Sequence, residues 1–122
     1  MQKLILSCIV MLSSLVTLQA SQTAEQLVDN KCGICHLAGK LSKEKLQRMA
    51  APPMWGVTKK IKTNLQTKDE QINFYMDFPL NPSKEKMMFP QETIDRFGHM
   101  PSQKGNVTEE ELRKIAEYLL SK

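Results

Sequence analysis

The run Cys32-Gly33-Ile34-Cys35-His36 constrains this chain more than any other five residues. Two thiols separated by two residues, with an imidazole directly after the second, is the spacing that attaches a c-type haem. Each cysteine sulfur adds across one vinyl group of a porphyrin, giving two thioether bonds. On a helical turn the next residue aims its imidazole at the iron from the same side. One short segment then supplies both the tether and an axial ligand. The run points to a single haem c bound through Cys32 and Cys35, with His36 as proximal ligand.

Three other readings compete for the same residues. A redox dithiol should follow an apolar strand in a βαβ unit, whereas Ala24 to Lys31 is helical in pattern and partly charged. A structural zinc site wants four ligands, and beyond the motif the exported chain offers only His99 and carboxylates. A disulfide across two residues would close a very small loop and add little stability. The haem reading stands if the rest of the chain supplies export, a distal ligand and a suitable core.

The start of the chain reads as a secretory signal over residues 1–20. Lys3 provides a short positive region, Leu4 to Val16 an apolar run, and Leu18-Gln19-Ala20 a cleavage site. The apolar run is short of the roughly 20 residues a membrane span needs, so a cleaved signal is expected, with an uncleaved anchor as the alternative. Cys8 lies inside the run and leaves with the leader. Cleavage after Ala20 leaves residues 21–122 as one small domain in the periplasm, with two cysteines that a haem would consume. A domain of this size buries only about 60–70% of its unfolded surface, so a flat apolar group at its centre would supply area that its few aromatic residues do not. The chain carries 17 basic and 13 acidic side chains, a formal +4, which drops to +3 without Lys3. That is a mild excess, suited to weak steering towards an acidic partner surface. No basic stripe with interleaved aromatics argues for nucleic acid.

Helix signals follow one another along the exported part. Thr23 and Gln26 form a capping-box pair ahead of Ala24, Leu27 and Val28. Lys40 to Arg48 reads as a solvated helix or loop. Ala51-Pro52-Pro53-Met54-Trp55-Gly56 reads as a rigid non-helical turn, because two prolines fix φ and remove donors. Their carbonyls remain free to accept, and a metal-bound imidazole usually donates its other ring N–H to such a group. Pro52 is the expected acceptor for His36, with Pro53 next. Trp55 would pack on the haem or close the core. Thr67 and Glu70 cap a helix bearing Ile72, Tyr75 and Met76 that should stop near Pro79. Asn81-Pro82-Ser83 should turn into a short helix over Lys84 to Met88, and a further turn or two should follow from Glu92 to Phe97, closed by Gly98. The last helix is the best marked. Thr108 and Glu111 form its capping box, three glutamates sit at its positive end, and Leu112, Ile115, Ala116 and Leu119 share one face. With no alternating strand pattern, the expected fold is all-α, about four to five short helices around one haem.

Six methionines follow residue 20, and most methionines merely fill space. Met87 and Met88 fall on an expected helix, and Met54 lies close to the proximal ligand. Met100 sits in Phe97-Gly98-His99-Met100-Pro101, a loop with defined corners, and is the expected distal ligand. His99 is its rival, read here as a rim residue.

The haem motif, the proline turn at Pro52, Met100-Pro101 and the capped C-terminal helix together resemble the small monohaem cytochromes c. The resemblance covers most of the exported chain and is weakest from about Ile61 to Gln91. It implies N- and C-terminal helices that cross and pack, Pro52 as the carbonyl acceptor and Met100 as the distal ligand. With His36 and Met100 both bound, no iron position stays open for a substrate. The expected role is therefore a monomeric soluble electron carrier and not an enzyme. By resemblance, a quinol-oxidising complex or dehydrogenase would reduce it, and a terminal oxidase or haem peroxidase would accept its electron. Two alternatives are a cytochrome subunit of a larger oxidoreductase, such as one oxidising sulfur compounds, and a five-coordinate haem protein that binds a small ligand.

Overall fold

A computed structural model describes residues 21–122; the leader expected over residues 1–20 lies outside the described residues. Among those described there are six α-helices and no strand. The first, α1 (Ala24–Leu27), opens on the Thr23–Gln26 capping box, with both reciprocal bonds present. It runs on as a π-helical turn over Val28–Cys32. So short an element is not self-supporting; it is held by the burial of Leu27 and Val28.

The π turn brings its carbonyls close to the haem motif. A β-carbon at Gly33 would stand 2.5 Å from the backbone oxygen of Asp29, which no side chain tolerates. Glycine inside the Cys-X-X-Cys run is therefore a requirement of local backbone packing.

α2 (Lys43–Gln47) is exposed throughout and capped by Ser42. α3 (Met54–Asn64) begins directly after the proline pair, with Pro53 as its N-cap. The turn expected over 51–56 therefore ends at Pro53, and residues 54–56 are helical. The cause is positional: proline lacks a donor, but the first helical N–H groups need no intrahelical partner, so Pro-Pro can launch a helix as well as end one. α4 (Lys68–Asp77) carries the expected Thr67–Glu70 capping box. The helix expected over Lys84 to Met88 is only a 3₁₀ turn, Lys84–Lys86, with Met87 already extended. α5 (Gln91–Phe97) ends at Gly98, whose φ of 76° and ψ of −166° lie in a region almost reserved for glycine. α6 (Glu109–Leu120) opens on the Thr108–Glu111 box.

α6 packs on both α1 and α4. Leu27 and Val28 join Ile61 of α3, Tyr75 of α4, and Ile115, Ala116 and Leu119 of α6 in one core. Ile61 and Ile115 are fully buried, and each stabilises the fold by about 1.5–3 kcal/mol relative to exposure. Ala116 is wholly inaccessible, and its small side chain permits the close approach. Lys31, next to the haem motif, donates to the Asn106 carbonyl at 2.7 Å and lies 3.6 Å from Glu111. The N-terminal motif is thereby tied to the start of the last helix.

Candidate haem site

Three hydrogen bonds fasten the proline segment alongside the Cys-X-X-Cys-His turn. Ala50 N–H donates to the Cys35 carbonyl at 3.2 Å, and Met54 N–H to the Leu37 carbonyl at 2.8 Å. Between them, His36 Nδ1 meets the Pro52 carbonyl at 2.6 Å. A carbonyl oxygen can only accept, so Nδ1 carries the proton of this bond. Nδ1–H donating to a carbonyl fixes the tautomer and leaves Nε2 with a free lone pair, the arrangement typical of a metal-binding histidine. Burial lowers the His36 pKa and disfavours the charged ring, against the opposing pull of the Pro52 carbonyl. Burial also pushes the Cys32 thiol up to about 11. Cys35 is exposed.

Cys32, Cys35, His36, Pro52 and Met100 all line one cavity of about 350 Å³. Its walls are largely apolar, contributed by α3, α4, α5, α6 and the connecting loops. Phe74 and Phe78 stack within them, their ring centres 5.1 Å apart. Tyr75 also lines the cavity, and its hydroxyl is satisfied by Thr58 Oγ1 at 2.6 Å. Such a lining accommodates a flat apolar group, with two thiols, an imidazole nitrogen and a thioether among its walls. The residues present therefore fit a haem c.

Met100 shares the cavity with Met54, Met87 and Met88. The sequence placed Met87 and Met88 on a helix as packing residues; they lie instead in extended chain along the cavity wall. Their surroundings still separate the four. Met54 is buried in the core and Met88 packs against it. Met87 Sδ is taken by His99 Nδ1 at 3.4 Å. Met100 is half-buried and its sulfur has no hydrogen-bond partner among the described residues. Its loop is pinned from behind: Gln103 N–H donates to the Pro79 carbonyl at 2.8 Å, and Ser102 Oγ to the Leu80 carbonyl at 2.7 Å. Sequence reasoning missed these two anchors, because neither residue carries a motif. His99 is exposed at the cavity mouth. Trp55 does neither thing expected of it: it is 66% exposed.

Among the described residues no helix is long and apolar enough to cross a membrane, and no cluster of three or more His, Cys, Asp or Glu side chains is placed to hold a metal ion. No curated protein and no solved structure matches the chain. A family model described as cytochrome c oxidase, cbb3-type, subunit III matches residues 19–119. That span contains every element of the cavity, so the chain belongs to the cytochrome c family, in its cbb3-type subunit III branch.

Proposed function

We propose that this chain is a periplasmic carrier of single electrons. Cys32 and Cys35 would hold one haem c covalently, and His36 and Met100 would be its axial ligands. The observation that carries the reading is the His36–Pro52 bond at 2.6 Å, which presents Nε2 as a free ligand on a cavity that Met100 also lines. Bound there, a haem supplies an iron that gains and loses one electron. The chain's own residues then decide how it is used. With His36 and Met100 both holding the group, neither side chain would be free to give way to oxygen or substrate, which favours a carrier over an enzyme. A methionine opposite a histidine raises the reduction potential, which suits a late step of a respiratory chain. The aromatic and aliphatic walls exclude water, and the exposed Cys35 with Ile34, 80% accessible, marks the side where a partner would dock briefly. A quinol-oxidising complex or dehydrogenase would serve as donor, and a terminal oxidase or peroxidase as acceptor.

The experiment is a redox-resolved visible spectrum of the exported protein, followed by extraction with acidified acetone. A low-spin c-type spectrum that stays with the polypeptide and changes little under carbon monoxide supports the reading. Colourless protein, or pigment lost to the solvent, overturns it. The family description favours one other reading, a cytochrome subunit of an oxidase complex. Size exclusion of the native protein from its own cells separates the two: a monomer supports the free carrier, a large assembly the subunit.

A further inference from the structure

The cavity that takes Cys32, Cys35 and His36 shares part of its lining with a second, more open depression of about 660 Å³. Lys60, Phe74, Met87, Met88 and Phe89 line both, whereas Cys32, Cys35 and His36 line only the first. A haem tethered through its vinyl groups carries two propionate carboxylates on the opposite edge. Those carboxylates must face away from the cysteines, and taking them out of water without a partner is costly. Their partner is therefore sought where the cavity leaves the cysteine side.

Besides His36, three basic side chains line the cavity: Lys31, Lys60 and His99. Lys31 is committed to the Asn106 carbonyl and Glu111. His99 is committed to Met87. In the second depression Lys86 is held by Asp77 at 2.6 Å and by the Asn81 carbonyl at 3.0 Å, and Glu85 is exposed. The amide of Asn64 is spent on the Lys60 carbonyl at 2.8 Å. Lys60 alone is half-buried, common to both spaces and without an ion pair or side-chain hydrogen bond among the described residues. We infer that Lys60 is the cation that pairs with a haem propionate; this rests on the reading that the cavity holds a haem tethered at Cys32 and Cys35. An ammonium group beside the carboxylate offsets its negative charge. It thereby disfavours Fe(III) relative to Fe(II), so Lys60 positions the group and raises its potential.

The test compares Lys60→Gln with Lys59→Gln, a neighbouring exposed lysine on the same helix, by equilibrium redox titration of the coloured protein at low ionic strength. A lost charge at close range and intermediate dielectric should raise the Fe(III)/Fe(II) ratio at fixed ambient potential by about three- to tenfold. Tenfold is about 59 mV for one electron. Lys60→Arg should keep the wild-type ratio, and Lys59→Gln should change it by less than about twofold, as exposed charges do. Equal effects of Lys60→Gln and Lys59→Gln overturn the role of Lys60 and leave the haem reading intact, whereas colourless wild type overturns the haem reading itself. If Lys60→Gln yields no coloured protein, the wild type decides by proton NMR in the oxidised state. The ε-methylene of Lys60 should be shifted by the paramagnetic iron, and an unshifted signal overturns the assignment.

Discussion

Tyr75 links the stability of this domain to alkaline pH. Its side chain is 4% exposed in the core, against the cavity, and its hydroxyl shares a 2.6 Å hydrogen bond with the buried Thr58. Burial pushes the phenol up to about 12, although the Thr58 bond works the other way. An unfolded tyrosine loses its proton near pH 10. Between about pH 10 and 12 the folded state therefore holds a proton that the unfolded state has released, and stability must fall as pH rises. Two pH units at 1.36 kcal/mol each amount to about 2–3 kcal/mol. Tyr75→Phe removes the titration but leaves the Thr58 hydroxyl unpaired in the core, which costs about 1–3 kcal/mol at neutral pH. The two proteins should therefore differ most near pH 8 and converge towards pH 12. Urea unfolding at half-unit pH steps measures both curves, and common effects such as lysine deprotonation cancel in the difference. A constant gap between wild type and Tyr75→Phe across pH 10–12 would refute the argument. So would a tyrosinate absorbance titration in which the variant loses no late-titrating group.

Three further outcomes are expected. Met100→Ala should leave pigment attached while abolishing the weak near-infrared methionine-to-iron band and admitting carbon monoxide; a surviving band would identify another ligand. Gly98→Ala should destabilise by about 1–3 kcal/mol in thermal unfolding. No neighbouring atom obstructs a β-carbon there, so the cost is purely one of backbone conformation. Ile115→Ala removes a side chain that is 1% exposed at the junction of α1, α3 and α6, and should cost about 2–5 kcal/mol by chemical denaturation.

Local patterns in the chain mapped well onto the fold. The capping boxes at Thr23, Thr67 and Thr108 all start helices, because each is a pair of hydrogen bonds closed within four residues. The apolar face Leu112, Ile115, Ala116, Leu119 is the buried face of α6, since a helical period needs no knowledge of its partner. The all-α class followed from the same signals. Expectations failed where a local rule permitted two outcomes. Pro52-Pro53 could close a turn or open a helix, and the bond from Val57 N–H back to the Pro53 carbonyl at 3.0 Å is what makes it open α3. The segment Lys84–Met88 had helix-forming residues, yet Met87 and Met88 are drawn out along the cavity after a single 3₁₀ turn.

The sequence by itself determined the chemistry on offer: two thiols and an imidazole at fixed spacing, a proline carbonyl that cannot be blocked by its own donor, and a methionine in a cornered loop. These are properties of covalent structure and of bonds within a few residues. Only the tertiary structure decided which groups meet. His36 reaches Pro52 across 16 positions, Ser102 anchors the Met100 loop to Leu80 across 22, and Lys60, without an ion pair among the described residues, lines both the cavity and the depression beside it. Contacts of that range depend on how separate helices bury their apolar faces against one another, which no short stretch of sequence encodes.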